Sequence, residues 1–447
     1  MSPLHLSAPL LRFAPSPTGP LHLGGLRMAL YNFLFARRHG GKWIMRVEDT
    51  DATRYVPGSV EGIRHALNWA GLEYDYGPGK DGPHAPYFQS ERLDLYRSYA
   101  TKLLDSGHAY RCFCSMDQLT ETREKLARSG SNASYDKRCL HLTDEEVARK
   151  LRAGEKSIVR LNVSDSNLPQ RPRGADLVFG PLKDAHASLA TDPILLKSDL
   201  FPTYHLASVV DDHEMSITHV LRGEEWLPSL PLHLDLYAAL KLEPPKFAHM
   251  PILLNPDRTK MSKRNGDVQV VDYIRRGWEP AAVLNWLALA GWGVRHNADT
   301  VSEEPATRSD APDSTTILTM QQLLEQFDLL SITQRSTSLD PAKLEYINKH
   351  HLSQLSSTPG GLASMAERVH GQIKEAFPTS YSRYKQTSVV QESLNEADFF
   401  FFFFSQGRLT NITDIPLHAP YLFQEPNLSS DEANAMLKKV KPQQRST

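Results

Sequence analysis

Pro15-Ser-Pro-Thr-Gly-Pro20 places three prolines and a glycine within six residues. Neither a helix interior nor a central strand can hold such a run, because each proline fixes its own φ and lacks the N–H that a ladder needs. The apolar stretch Leu10 to Ala14 must therefore stop as a short strand, and the chain must turn. From His22 onward Leu26, Leu30, Phe33 and Leu34 recur at helical spacing until Gly40-Gly41. Trp43 to Val47 is then a second apolar run, which delivers Glu48-Asp-Thr-Asp51 at its end. Strand, tight loop, helix and strand in that order open an α/β layer fold.

The remaining chain is too long for one core: 447 residues exceed an ordinary domain, which holds about 100 to 200. Ser59 to Ala70 and Glu91 to Leu104 carry amphipathic helical spacing. Between Arg111 and Leu200 the texture changes to short mixed segments, with a charged helix over Thr143 to Arg152 and an alternating stretch at Ser157 to Val163, as an insertion between two halves of the α/β domain would read. Apolar α/β character resumes at Leu200 to Val210 and Ile217 to Leu221, followed by helices at Ser229 to Leu240 and Ala281 to Ala290. Asn297 to Thr316 is polar and non-periodic, a linker. Helical spacing returns at Leu323, Leu324, Phe327 and Leu330 and in Pro341 to Leu352, and the run Phe399 to Phe404 is expected as buried core. The expected segmentation is 1–111 and 200–318 for the halves of the α/β domain, 112–199 for the insertion and 319–447 for a helical domain.

Composition excludes several classes. Lys plus Arg is 50 and Asp plus Glu is 52, giving 50 − 52 = −2, with 40% apolar and 23% charged residues, the usage of an ordinary globular protein rather than a disordered or polyanion-coating one. A local basic groove stays compatible with that balance. No apolar stretch approaches the ~18 to 20 residues that span a bilayer, and no basic segment precedes the first apolar residues, so a soluble, intracellular protein without membrane contact is expected. The three cysteines, Cys112, Cys114 and Cys139, fall in one short window, as in a metal site or a set of free thiols rather than a disulfide framework.

Gly77-Pro-Gly-Lys-Asp-Gly82 fits a dinucleotide fingerprint by letters only, since it precedes Pro83 and opens no helix, and no P-loop pattern occurs. Pro17-Thr-Gly-Pro-Leu-His-Leu-Gly-Gly25 is a stronger signal. A strand, a Gly-rich loop and a helix N-terminus in sequence aim free backbone N–H groups and the positive dipole end at an anion. His22 lies at that turn, where an imidazole can donate to a phosphate oxygen as charge develops. Lys260-Met-Ser-Lys-Arg264 supplies three cations in five residues beside Asn265-Gly266.

Together these segments carry a resemblance. Arg12-Phe-Ala-Pro-Ser-Pro-Thr-Gly19 with His22-Leu-Gly-Gly25, then Arg46-Val-Glu-Asp-Thr-Asp51, then Leu221-Arg-Gly-Glu-Glu-Trp226, then Lys260-Met-Ser-Lys-Arg264 occur in the order and spacing of the class I aminoacyl-tRNA synthetases. The chain resembles the glutamyl-tRNA synthetases of the bacterial and organellar type, from about Leu11 to Gly293 and more weakly through Leu352. Gly77 to Tyr96 and Val209 to Met215 look most like the mitochondrial fungal branch. The resemblance implies a Rossmann-like catalytic domain split by an insertion that binds the tRNA acceptor end, a stem-contact region and a helical anticodon-binding domain, the last shortened or altered. It also implies glutamate–tRNA ligase activity: the carboxylate of L-glutamate attacks the α-phosphate of ATP, with Mg2+, and the terminal ribose of tRNA(Glu), or also tRNA(Gln), then takes the glutamyl group.

By the same resemblance His22, Lys260 and Lys263 are catalytic, and ATP is held by His22, Gly24, Gly25, Glu225, Trp226, Lys260, Met261, Ser262, Lys263 and Arg264. Glutamate falls to Arg12, Phe13, Ala14, Ser16, Glu48, Tyr204, Ser208 and Arg222. The residue types suit a ligand with two carboxylates and one ammonium: arginine forks for the first, a carboxylate for the second. In Tyr204-His-Leu-Ala-Ser208 the family commonly has asparagine last, and serine lacks the reach of the amide. Cys112, Cys114 and Cys139, with His141 as fourth ligand or Tyr135 in its place, are chemically adequate for zinc. Three other readings weigh less: a shorter relative that modifies a tRNA base, which lacks a helical domain; an idle tRNA-binding paralogue, expected to lose His22 or Lys263; and an unrelated nucleotidyltransferase, with no need of Arg12, Glu48 and Arg222 together. A monomer is expected, in the mitochondrial matrix or otherwise the cytoplasm. The eleven residues ahead of Arg12 hold no Arg or Lys, unlike a transit peptide, so a truncated start is expected.

Overall fold

The computed structural model describes residues 8–163, 168–172, 175–181, 191–259, 261, 269–292, 315–378, 410–415, 429–430 and 435. By contact density the chain divides into two compact units, one of residues 1–271, 287–314 and 318–339, the other of 272–286, 315–317 and 340–447.

The first unit is organised on strands β1 (Leu10–Phe13) and β2 (Lys42–Met45), joined by helix α1 (Leu23–Arg38). Helices α2 (Ser59–Trp69) and α3 (Leu93–Asp105) follow. The insertion contributes β3 (Ala109–Cys112), α4 (Met116–Arg128), α5 (Asp144–Arg152), β4 (Ile158–Leu161), β5 (Ala175–Asp176), β6 (Gly180–Pro181) and β7 (Ile194–Leu196). The second half returns with α6 (Tyr204–Glu214), β8 (His219–Gly223), α7 (Leu230–Ala239), β9 (Lys246–Met250) and β10 (Leu253–Leu254).

Strands β2, β1, β8 and β9 form one parallel sheet in that order. Parallel strands covered on both faces by helices are mainly apolar, and Leu11, Ile44, Val220 and Ala248 are each fully buried. The chain leaves β1 toward β2 on one side and returns as β8 on the other, so the sheet reverses its winding beside β1. The crevice outside the carboxyl ends of strands at such a reversal is where open α/β sheets take ligands. The insertion forms its own antiparallel sheet, β3-β4-β7, and a small β5-β6 hairpin. Its two helices begin with capping boxes, Ser115 with Gln118 and Thr143 with Glu146, which satisfy N–H groups that a helix start leaves unpaired.

The expected boundary at 318/319 is displaced. Residues 318–339 pack with the first unit because α8 (Met320–Gln326) lies on α1, the Phe327 ring sits 5.1 Å from Tyr31, and β11 (Thr337–Ser338) pairs with β10. The insertion also starts earlier than expected, Cys112 being the last residue of β3.

The second unit holds helices α9 (Pro341–Ser356) and α10 (Pro359–Ala376) around Leu352, Met365, Val369, Ile412 and Ile415. Buried Asn348 accepts from the Glu279 N–H at 3.0 Å and donates to the Thr410 carbonyl at 2.6 Å, and Arg368 pairs with Glu279. The run Phe399 to Phe404 lies outside the described residues.

Candidate active site

A cleft of about 570 Å³ opens at the carboxyl ends of β1, β8 and β9, bounded by the loop from Ala14 to His22 and the first turn of α1. Gly19 in that loop adopts φ 128°, a conformation that favours glycine. At Gly25 a Cβ would come within 2.7 Å of the Leu21 side chain, so the start of α1 is packed to the backbone. His22 is the N-cap: its Nδ1 accepts from the Gly25 N–H at 3.0 Å. That bond fixes the tautomer, because a neutral imidazole with Nδ1 as acceptor carries its proton on Nε2. His22 therefore lines the cleft as a donor beside a helix N-terminus.

Opposite lies a buried charge network. Arg12, 3% exposed at the end of β1, donates from Nε to Asp212 at 3.1 Å. Arg46 donates to the same Asp212 oxygen at 2.7 Å and to Glu48 at 3.3 Å, and pairs with Asp211 at 3.6 Å. Asp211 also takes Arg92, Gln89 and the Tyr96 hydroxyl, at 2.7, 2.8 and 2.9 Å. Burial alone would raise the Asp212 carboxyl, but Arg12 and Arg46 more than reverse it and hold it below its usual value. Glu48 goes the other way: burial lifts it above the ordinary 4.5, with Arg46 and Arg12 opposing. Burying charges costs several kcal/mol per ion unless each is paired, and here every arginine has a carboxylate.

A fourth arginine is held differently. Arg222, at the end of β8, donates from Nε to His249 Nε2 at 2.9 Å, and its terminal nitrogens reach Tyr204 Oη at 2.9 Å, His233 Nδ1 at 3.3 Å and the Trp226 carbonyl at 3.4 Å. His249 in turn lies 2.7 Å from Asp176 through Nδ1. Burial drives the His249 imidazole down to about 4, and His205, which meets His233 at 3.2 Å, also to about 4, with Arg222 adding to the effect. Arg222 is thus surrounded by neutral rings rather than by carboxylates. Trp226 lies over Tyr204 with ring centroids 3.9 Å apart.

Of the residues named from sequence, Arg12, Phe13, Ala14, Ser16, His22, Gly24, Gly25, Glu48, Tyr204, Arg222, Glu225, Trp226 and Met261 line this one cleft. Ser208 does not: it is 1% exposed, its hydroxyl buried one turn below Tyr204 in α6. Lys260, Ser262, Lys263 and Arg264 lie outside the described residues. Sequence reasoning missed Arg46, Asp211 and Asp212 as site builders, although adjacent carboxylates after Val209-Val210 in an apolar helix signal buried ion pairs. It also missed Asp176, His233 and His249. His249 inside the apolar strand Phe247 to Met250 was a visible signal, whereas Asp176 on a two-residue strand offered none.

In the insertion the sulfurs of Cys112, Cys114 and Cys139 lie within 4.8 Å of one another, Cys114 and Cys139 at 3.6 Å. His141 is exposed and outside that cluster. The turn at Lys137, φ 59°, brings Tyr135 there instead. Its hydroxyl lies 3.3 Å from the Cys112 sulfur and 3.7 Å from that of Cys114, and accepts from the Cys139 N–H at 3.2 Å. Hydrogen bonding from Cys139, and from Tyr135 and Arg160, holds the Cys112 thiol well below its usual range despite burial.

A family model described as tRNA synthetases class I (E and Q), catalytic domain, matches residues 10–328. The chain is 39% identical over 444 residues to a glutamate–tRNA ligase of Alkaliphilus metalliredigens, covering 96% of this chain and 82% of that protein. It is 44% identical over 351 residues to one of Chloroherpeton thalassium, covering 77% and 66% respectively. Among solved structures, a glutamate tRNA ligase from Elizabethkingia meningosepticum in complex with its amino acid superposes with a TM-score of 0.78 at 32% identity, over 98% of this chain and 84% of that one. A glutamate-tRNA synthetase from Elizabethkingia anophelis gives 0.76 at 32% identity, over 96% and 84%.

Proposed function

The chain belongs to the class I tRNA synthetases of the E and Q group, and from that premise we propose how it works as a glutamate–tRNA ligase. The observation that carries the reading is the convergence of Arg12, Glu48, Tyr204 and Arg222 on the same cleft as His22 and the α1 N-terminus. With Nε tied to Asp212, the terminal nitrogens of Arg12 can fork onto one carboxylate of glutamate, and Arg222 with Tyr204 takes the other. Glu48 receives the α-ammonium. The activated carboxylate then attacks the α-phosphate of ATP, forming the adenylate and releasing pyrophosphate, and the terminal ribose of the tRNA takes the glutamyl group and releases AMP.

No protein nucleophile is needed, because phosphoryl transfer depends on alignment and on stabilising the charge that develops. The N–H groups at the start of α1 and the His22 Nε2–H supply part of that stabilisation. We assign the rest to Lys263 and Lys260; Met261, between them in sequence, lines the cleft. Magnesium accompanies the nucleotide as substrate. Trp226, packed against Tyr204 with the rings tilted by 32°, and Glu225 border the adenosine side.

Four finer readings go with this one. The Cys112, Cys114 and Cys139 thiols with the Tyr135 hydroxyl fit a tetrahedral zinc, whose Zn–S bonds of about 2.3 Å set sulfurs about 3.8 Å apart. A stoichiometric zinc content lost in Cys114→Ser tests it. The tRNA partner is tRNA(Glu), the place of work the mitochondrial matrix and the working form a monomer, tested by charging assays against tRNA(Gln), fractionation of the source cells and sedimentation. For the reaction itself the test is glutamate-dependent ATP–pyrophosphate exchange with and without tRNA. Exchange that needs glutamate and is lost in Lys263→Ala supports the assignment; folded, tRNA-binding protein without exchange defeats it.

A further inference from the structure

Asp176 belongs to the insertion, far in sequence from the cleft, yet its carboxylate is 2% exposed and lies against β9. Its bonding is directional. Oδ1 accepts from the backbone N–H groups of Val178 at 3.0 Å, Phe179 at 2.9 Å and His249 at 3.2 Å. Oδ2 faces the His249 N–H at 3.0 Å and its Nδ1 at 2.7 Å. A carboxylate only accepts, so His249 must place its proton on Nδ1, which leaves Nε2 as the acceptor that Arg222 Nε–H requires at 2.9 Å. The other tautomer would set two donors against each other.

We propose that Asp176 and His249 are positioning residues for glutamate: the insertion, through this carboxylate, fixes the His249 tautomer and thereby orients the Arg222 guanidinium that receives a substrate carboxylate. The inference rests on the function proposed above. It makes the inserted segment part of the amino-acid site, through a path of consecutive hydrogen bonds.

The path has a polarity that a substitution can invert without changing shape. In Asp176→Asn the amide oxygen is forced to the Oδ1 side, because the fixed Val178 and Phe179 N–H groups both converge there, whereas the His249 N–H is shared between the two oxygens. The NH2 then faces His249 Nδ1, drives the ring proton to Nε2 and turns a donor toward Arg222, the same logic by which an isosteric amide misdirects the histidine of a catalytic triad. His249→Gln changes shape but keeps polarity, since one amide can donate to Asp176 and accept from Arg222. His249→Phe keeps the ring and removes both bonds.

The test is steady-state pyrophosphate exchange in the presence of tRNA, with thermal unfolding of each full-length variant. The expected result is a KM for glutamate raised about 10- to 100-fold in Asp176→Asn and His249→Phe, the scale of a hydrogen bond to a charged group. His249→Gln should fall between these and the parent, and the KM for ATP should stay unchanged in all of them. Should Asp176→Asn fail to fold, the pair His249→Phe and His249→Gln decides alone, since packing by itself ranks the ring-retaining variant above the glutamine. Unchanged glutamate KM in folded variants, or a greater loss in His249→Gln than in His249→Phe, overturns the inference. A parent protein without glutamate-dependent exchange instead overturns the function on which it rests.

Discussion

The two sides of the cleft are built on opposite plans. On the amino-acid side, Arg12 and Arg222 are 3% and 5% exposed, and each is clamped by groups that are themselves buried. On the nucleotide side the groups are backbone N–H at the start of α1 and an exposed His22 whose Nδ1 caps that helix. The difference follows from what each side must do. Selecting one small dicarboxylate needs charges fixed in direction before the ligand arrives, so that a wrong ligand leaves them unpaired. A triphosphate brings its own charge, and a helix terminus meets it with backbone N–H dipoles already pointed at the anion. The amino-acid side therefore depends on partners that never touch substrate.

That contrast can be broken experimentally, and the largest effect is expected at Asp212. It holds Arg12 and Arg46 with a side chain 3% exposed, so Asp212→Ala leaves two buried cations short of a partner and should lower stability by about 3–5 kcal/mol, read by denaturant unfolding. His22→Ala comes next: loss of a preorganised donor should reduce kcat about 100- to 1,000-fold, with little change in KM for glutamate. If KM for glutamate moves instead, the two sides are not separate. Arg222→Lys keeps the charge but cannot meet His249, Tyr204 and His233 from one ammonium, and kcat/KM for glutamate should fall about 30- to 100-fold.

A pH series sharpens the same comparison. The Glu48 carboxyl is raised above 4.5 by burial, so its charged form is lost on acidification earlier than that of a free glutamate. KM for glutamate should therefore climb as pH falls while still above 4.5. The sign for stability is opposite: a raised carboxyl pKa means the folded state favours the proton, so this group withdraws stability as pH rises through the window from 4.5 to its elevated value. Glu48→Gln should accordingly raise the unfolding temperature at neutral pH while weakening glutamate binding. Smallest of all, removing the exposed pair Arg128–Glu124 on α4 should change stability by less than about 0.5 kcal/mol and leave exchange untouched.

Much of this architecture was legible in the residues because local chemistry dictated it. The proline cluster ended β1, the apolar spacing after His22 made α1, and the apolar run at Trp43 made β2, so the loop that bears His22 could be placed before any coordinates. Cleft residues carried by motifs, such as Arg12, Glu48 and Arg222, were likewise readable. What escaped was long-range pairing. Asp211 and Asp212 meet Arg92, Arg46 and Arg12 across more than a hundred residues, and nothing local in a two-residue strand says that Asp176 will meet His249. Ser208 lies one turn below Tyr204 on the buried face of α6, and a five-residue motif does not reveal which face turns to the core. Residues 319–339 read as the start of a helical domain because periodicity reports a helix but not its neighbour; the Phe327–Tyr31 contact and the β10–β11 pairing show which core they complete.

The central claim is that a fixed, doubly cationic pocket selects a ligand with two carboxylates. It is tested most directly by charging tRNA with radiolabelled glutamate and, separately, glutamine under identical conditions. The account predicts glutamyl ester formed readily and glutamine rejected by about 1,000-fold or more, since its neutral amide leaves a buried guanidinium without an anion; comparable esterification of glutamine would contradict it.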